Sequence, residues 1–148
     1  MQKAIICDID GTLANVEHRR HFVEDKKNAD WDAFNAEMGK DTINEWCKEL
    51  LKIFYANGYE VLLVSGRPFE YTYETIFWLD KNEVQYSELF LREKKNDHRK
   101  DTIVKTEIYN NKIKGNYDIL FVVDDRASVV ANWRDLGLIC LQCDKGNF

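Results

Sequence analysis

The sequence predicts a single Rossmann-like α/β domain of three layers, a central, mostly parallel five-stranded sheet between helices, with a small flap inserted after the first strand. Three observations predict it. Short apolar runs bounded by turn residues recur at Ala4-Ile5-Ile6-Cys7, Val61-Leu62-Leu63-Val64 and Ile119-Leu120-Phe121-Val122-Val123, each apolar throughout, as a strand covered on both faces must be. Segments with helical spacing of apolar residues lie between them, and strands alternating with helices build parallel crossover units. At 148 residues the chain can bury one proper core and is short for two.

Residues 3–8 form the first strand, which stops at Asp8. Residues 13–40 alternate polar and aromatic positions, with weak helical periodicity from Trp31 to Met38, and read as a flap carrying a short helix. Thr42 and Glu45 have the spacing of a capping box, and Ile43, Trp46, Cys47, Leu50, Leu51 and Phe54 make one apolar stripe. A helix follows from these signals, and Gly58 stops it. Residues 60–64 form the second strand, and Pro68 suits the first turn of a helix reaching Asn82. A short strand at 88–91, a charged loop at 92–100 and a helix at 101–114 come next. The strand at 119–123 leads into a helix at 127–136, with Val129, Val130, Trp133 and Leu136 inward and Gly137 closing it. Residues 138–143 form the last strand, and 1–148 is one domain.

A net charge of −5 argues against nonspecific nucleic-acid binding through an extended basic face, while contact with a nucleic-acid end stays open. One Pro and seven Gly leave no room for a disordered linker. No apolar run approaches membrane-spanning length and no signal peptide opens the chain, so a cytoplasmic protein with no membrane contact is expected. No obligate protein partner is evident. The four cysteines are Cys7, Cys47, Cys140 and Cys143. The Cys140-x-x-Cys143 pair has no second pair to complete a zinc site and falls on a strand, so buried reduced thiols are expected.

Asp8, Ser65 and Asp124 each stand at the carboxyl end of an apolar strand, where open α/β sheets place their ligands. Asp8, Asp10, Asp124 and Asp125 converging there would repel one another unless a cation bound among them. Carboxylates in an octahedral oxygen site with retained waters suit Mg²⁺. Beside them the Ser65 hydroxyl, the Gly66 amide, Arg67 and Lys105 can bind anions. Lys105 follows Asp101 by four residues, so the two share a helix face and could pair. A cation, a carboxylate nucleophile and a ring of anion donors describe phosphoryl transfer, in which covalent catalysis divides a very high barrier. A calcium loop starting at Asp8 would need Glu at its twelfth position, which is Arg19. His18, His21 and His98 lack a third ligand at metal spacing and read as surface or substrate-side residues. The basic clusters at 19–27 and 92–100 would lie near the catalytic edge as a landing site for a nucleotide backbone. Phe22, Trp31 and Phe34 could stack bases, but read rather as anchors of the flap.

The ordered set Asp8-Ile9-Asp10-Gly11-Thr12, Ser65-Gly66-Arg67, Lys105 and Asp124-Asp125 resembles the haloacid dehalogenase superfamily of aspartyl-phosphate phosphatases. Arg19, Arg99-Lys100-Asp101, Arg126, Trp133 and the stretch from Gln142 to Phe148 extend the resemblance to the 3′-phosphatase domain of phage polynucleotide kinase–phosphatase, over nearly the whole chain. The resemblance implies that Asp8 attacks phosphorus and that Asp10 protonates the leaving oxygen and then activates water. It implies that Asp8, the Asp10 carbonyl and Asp125 or Asp124 hold Mg²⁺, and that Ser65 and Lys105 bind the phosphoryl group. Arg19 and Arg67 would contact the substrate beyond it, with Gly66 and Arg126 on the substrate side and Asp101 positioning Lys105 or Arg67. Two departures stand out: there is no Gly-x-x-x-x-Gly-Lys-Ser/Thr sequence, so no kinase activity is expected, and the longer flap reads His18-Arg19-Arg20-His21, without a glycine beside the arginine.

The expected activity is Mg²⁺-dependent removal of a 3′-phosphate from a polynucleotide end. A phosphatase of free nucleotides or another small metabolite fits the same catalytic motifs. A phospho-accepting signalling module shares the fold and clustered acids, but Asp10 two residues after the nucleophile supplies acid–base help for release.

Overall fold

The computed structural model describes Met1–Phe148. In chain order its elements are β1 (Gln2–Cys7), β2 (Ala14–Asn15), α1 (Trp31–Ala36), β3 (Thr42–Ile43), α2 (Glu45–Ala56), β4 (Glu60–Val64), α3 (Thr72–Lys81), β5 (Glu88–Phe90), α4 (Asp101–Ile108), β6 (Tyr117–Asp124), α5 (Ala127–Asp135) and β7 (Cys140–Gln142). Five strands form one sheet in the order β5-β4-β1-β6-β7, every pairing parallel. The three-layer α/β class read from the sequence is the observed one.

The apolar strands earn their place by alternation. Successive side chains leave a strand on opposite faces, and β1 divides accordingly. Ile5 and Cys7 pack with Cys47, Leu51, Trp78 and Leu79 from α2 and α3. Ala4 and Ile6 pack with Val104, Ile108, Val129, Val130 and Trp133 from α4 and α5. Burial of β1 on both faces is why its sequence is apolar without interruption. From β1 the sheet order runs one way through β4 and the other through β6, so the crevice of the topological switch lies above the carboxyl end of β1.

Residues between β2 and β3 make an excursion over that end. The two strands pair antiparallel, Ala14 with Ile43 and Asn15 with Thr42, and so close its base. Between them run tight helical turns at Glu17–Phe22, Lys26–Asn28 and Met38–Lys40, together with α1, which Asp30 caps by accepting from the Ala33 amide at 3.0 Å. Phe34 and Met38 are buried under it.

Several sequence expectations need correction. Thr42 is not a helix cap: it belongs to β3, and α2 starts after Asn44. The Asn44 side chain instead donates to the Thr12 carbonyl at 2.8 Å and ties the excursion to the turn after β1. Trp46, counted in the apolar stripe, is 50% exposed. Pro68 precedes a tight turn at Phe69–Tyr71 rather than opening α3 itself. The helix expected over 101–114 is α4, then a wide π-helical turn at Tyr109–Ile113. All four cysteines are free, but Cys143 is exposed because it follows the last residue of β7. Cys7 and Cys47 lie with their sulfurs 3.5 Å apart in the core. No helix is long and apolar enough to cross a membrane.

Candidate active site

The strand ends deliver their acids as the sequence predicts. Asp8 follows β1, held by its amide donating to the Val123 carbonyl at 3.0 Å. Gly11, with φ of 83°, turns the chain back; a Cβ there would collide with the Asp125 carboxylate. The Thr12 hydroxyl sits 3.2 Å from both Asp8 Oδ2 and Asp125 Oδ1. Asp8, Asp124 and Asp125 bring ligand oxygens within 4.8 Å of one another, all three residues buried.

Lys105, buried on α4, supplies the ammonium for this cluster. Its Nζ donates to Asp8 Oδ1 at 2.8 Å and to Asp124 Oδ2 at 3.0 Å. Asp124 is saturated: Oδ2 also accepts from Trp133 Nε1 at 3.1 Å, and Oδ1 accepts from the Asp125 amide at 2.9 Å. Asp125 has only the Thr12 hydroxyl among side-chain donors. Burial pushes its carboxyl up to about 6, and burial, with the Asp124 charge, raises Asp8 well above the usual carboxylate range. Burial works against the Lys105 charge, yet Asp124 and Asp8 hold its proton more firmly than usual. Three carboxylates facing one ammonium leave a buried surplus of negative charge, and the donors are all oxygen. That donor set fits a hard divalent cation such as Mg²⁺.

Asp10 lies apart from this cluster, in a clamp of two arginines. Arg67 Nη2 donates to Asp10 Oδ1 at 2.7 Å, and Arg67 Nε lies 3.1 and 3.2 Å from its two oxygens. Arg19 Nη2 donates to Oδ1 at 2.7 Å. Burial would raise the Asp10 carboxyl, but Arg67 and Arg19 hold it down to about 2, so it rests as a carboxylate. Asp41 backs the clamp: its oxygens accept from Arg19 Nε at 2.8 Å, Arg19 Nη2 at 2.7 Å and His18 Nε2 at 2.7 Å. The Arg19 guanidinium also lies 4.1 Å over the Phe34 ring.

Ser65 stands just past β4, its Oγ accepting from the Arg67 amide at 3.1 Å. Gly66 is needed because a Cβ there would come within 2.5 Å of Asp101 Oδ1. Arg92 braces the same turn. Its Nε donates to the Gly66 carbonyl at 2.7 Å and its Nη2 to Asp101 Oδ1 at 2.6 Å. Arg126 Nη1 approaches Asp101 Oδ2 at 3.5 Å, half-exposed at the rim.

A family model described as polynucleotide kinase PNKP phosphatase domain matches residues 2–148. The chain belongs to that family. It is a phosphatase domain of the haloacid dehalogenase class. It is 33% identical over 137 residues to a bifunctional polynucleotide kinase/RNA ligase of Autographa californica nuclear polyhedrosis virus, matching 90% of this chain and 18% of that protein. It superimposes on a chain of the Pnkp1/Rnl/Hen1 complex with a TM-score of 0.88 and 36% identity, over all of this chain and 47% of that one. The chain thus spans less than half the length of either relative. A phosphatase from Clostridium difficile shares the fold, with a TM-score of 0.66 at 15% identity over 95% of this chain and 84% of that one.

Within this phosphatase domain, Asp8, Asp124, Asp125 and Lys105 meet as the sequence leads one to expect, with Ser65 at the neighbouring strand end. Two expected relationships differ. Asp101 pairs with Arg92 and not with Lys105 or Arg67, because Lys105 turns inward to the acids. The Arg19 and Arg67 side chains are fully buried, engaged with Asp10 and Asp41, and so present no free surface toward a substrate. Asp41 and Arg92 were not singled out as site residues by the sequence. Asp41 gave no signal there, being one acid in a polar stretch; Arg92 opens the basic 92–100 run, and only its position after a strand marked it.

Proposed function

We propose that this domain is a Mg²⁺-dependent phosphomonoesterase that forms an aspartyl-phosphate on Asp8 and clears 3′-phosphates from polynucleotide ends, RNA ends first. One observation carries the chemistry: Lys105 Nζ bridges Asp8 and Asp124 while Asp125, buried beside them, lacks a counter-charge. Asp8 and Asp125, with the Asp10 carbonyl, would hold Mg²⁺, and Asp124 would hold Lys105. The cation, when bound, neutralises charge on the transferring phosphoryl group.

Asp8 bonds to phosphorus as the bond to the leaving 3′-oxygen breaks, and that oxygen takes a proton from Asp10. Water then attacks phosphorus and gives a proton to Asp10. The Asp8–phosphorus bond breaks, returning the carboxylate and inorganic phosphate. Lys105, the Ser65 hydroxyl and the Gly66 amide receive the phosphoryl oxygens. The arginine clamp adds a condition. Asp10 rests ionised, so it takes up the proton it must donate against the pull of two buried guanidiniums.

Residues 13–40 act as a small flap rather than a closed lid, which leaves room for a polymer terminus. The names of two relatives support the RNA substrate: one is called an RNA ligase as well as a polynucleotide kinase, and the other belongs to a complex described as one for RNA repair. A panel of 3′- and 5′-phosphorylated RNA and DNA oligonucleotides and mononucleotides tests the reading. Preference for 3′-phosphorylated oligonucleotides is expected. Faster turnover of mononucleotides would replace the polymer by a metabolite, and a stoichiometric, persistent phospho-adduct would replace the enzyme by a signalling module.

A further inference from the structure

We propose that the groove between α3 and the end of β5 is a nucleobase-stacking site, with Phe69 as its platform, for the strand whose phosphorylated end enters the active site. The inference rests on the polynucleotide reading above and assigns a place to the bases, which that reading leaves without one. The groove holds about 270 Å³, with Phe69, Thr72 and Ile76 on one wall and Leu89, Leu91, Arg92 and Glu93 on the other.

Three observations point to bases. First, the groove is continuous with the anion-binding turn. Arg92, which lines it, donates to the Gly66 carbonyl at 2.7 Å, and its amide donates to the Arg67 carbonyl at 3.2 Å. Phe69 itself follows Arg67 by two residues. Second, the first turns leading through α3 leave aromatic rings in solvent at four-residue intervals: Phe69 is 41% exposed, Tyr73 86% and Phe77 72%. An aromatic ring offers any base a π-face, so stacking needs no base-specific hydrogen bonds. Third, the chain leading away from the groove complements a phosphodiester. Glu93 on the wall is followed by exposed Lys94 and Lys95, and residues 92–100 carry five Lys or Arg against two acids in a chain of net charge −5. A purely apolar protein partner would not call for that basic run.

The test compares three substrates: a 3′-phosphorylated oligonucleotide, the same strand with abasic sugars at its last positions, and p-nitrophenyl phosphate. Phe69→Ala is expected to lower kcat/KM on the base-bearing strand about tenfold, and to leave the abasic strand and the aryl phosphate unchanged. Phe69→Trp should restore the loss. Tyr73→Ala, at a side chain with almost no packing to lose, should give a smaller loss with the same substrate pattern. Binding is read separately with Asp8→Asn, by quenching of 2-aminopurine placed next to the 3′-phosphate; Phe69→Ala should abolish the quench. If wild type ignored 3′-phosphorylated strands yet quenched the probe through Phe69, the proposed reaction would fall and the stacking site would stand. Equal losses on all three substrates, or no loss together with no quench, would overturn the stacking site. Unchanged kinetics with self-association lost in Tyr73→Ala and Phe77→Ala would assign the face to a second copy and also overturn it.

Discussion

Lys105 Nζ lies 2.8 Å from Asp8 Oδ1, although 97 positions separate the two residues in the chain. The pair fixes the nucleophile's orientation and places a positive charge where the phosphoryl oxygens would arrive. Lys105→Met keeps the volume and removes both functions. Turnover of an aryl phosphate is expected to fall at least about 10²-fold. The metal-free variant should also be destabilised, by about 3–5 kcal/mol at pH 8, because removing one member of a buried pair strands the other. The loss should shrink at pH 5, where Asp8 and Asp125, both raised by burial, can take up protons. Thermal melts in EDTA at the two pH values, beside steady-state rates, measure both effects.

Asp124 and Asp125 are neighbours with different work. Asp124 accepts from Lys105, Trp133 and the Asp125 amide, whereas Asp125 accepts only from Thr12 among side chains. Asp124→Asn turns its NH2 either toward both the Lys105 ammonium and the Trp133 N–H or toward the Asp125 amide, so it should cost about 1–3 kcal/mol of stability as well as activity. Asp125→Asn should leave the metal-free protein as stable as before near pH 4 and make it more stable at pH 7, where the buried carboxylate is ionised, and it should raise the Mg²⁺ concentration for half-maximal activity about tenfold or more, since carboxylate count sets affinity at such sites. Equal behaviour of the two variants in magnesium titrations and melts would dissolve this division.

The metal-free protein should have an unusual pH profile of stability. Burial raises Asp125 to about 6 and Asp8 in the same direction, so both favour folding while protonated. Their contribution is complete below the pKa of an unfolded carboxyl, about 4, and disappears as pH climbs through about 6. Asp10 runs the other way. Held at about 2 by Arg67 and Arg19, it stabilises above about 4 and loses that contribution as pH falls through about 2. In EDTA, Tm is therefore expected to peak near pH 4 and to fall toward pH 7, with Asp125 supplying about 3 kcal/mol of the change. Asp125→Asn should flatten that slope. Mg²⁺ should stabilise more at pH 7 than at pH 5, because its ligands must be ionised.

The strands were legible because two-sided burial leaves an unbroken apolar run, and Ile5 and Ile6 show it by packing on opposite faces of the sheet. Local signals misled where a residue answered to a distant partner. Thr42 and Glu45 fit a capping box, but Asn44 is drawn to the Thr12 carbonyl and the helix starts later. Asp101 and Lys105 fit a helical ion pair, but Arg92 takes Asp101 and the buried acids take Lys105. The two-residue ladder of β2 and β3 is too short to leave a pattern. Asp41 has no periodicity, cap or motif about it; only the folded chain shows two arginines converging on it.

That convergence changes what is expected of Arg19. As a substrate contact, its loss would be felt chiefly with oligonucleotides. Its buried guanidinium instead joins Asp10 to Asp41 and stacks over Phe34. Arg19→Ala is therefore expected to reduce turnover of oligonucleotide and aryl phosphate alike, by about 10²-fold, through misplacement of Asp10. Arg19→Lys should not rescue it, since an ammonium cannot reproduce a fork that bonds Asp41 through Nε and Nη2 while Nη2 also reaches Asp10. Asp41→Asn should follow the same pattern, because it loosens Arg19 without touching the reacting groups. With one guanidinium gone the Asp10 carboxyl should also rise from about 2, and because Asp10 acts as the proton donor, the alkaline limb of the kcat/KM profile should move up with it. A selective loss on oligonucleotides, with the aryl phosphate untouched and the alkaline limb unmoved, would put Arg19 on the substrate and the clamp out of the mechanism.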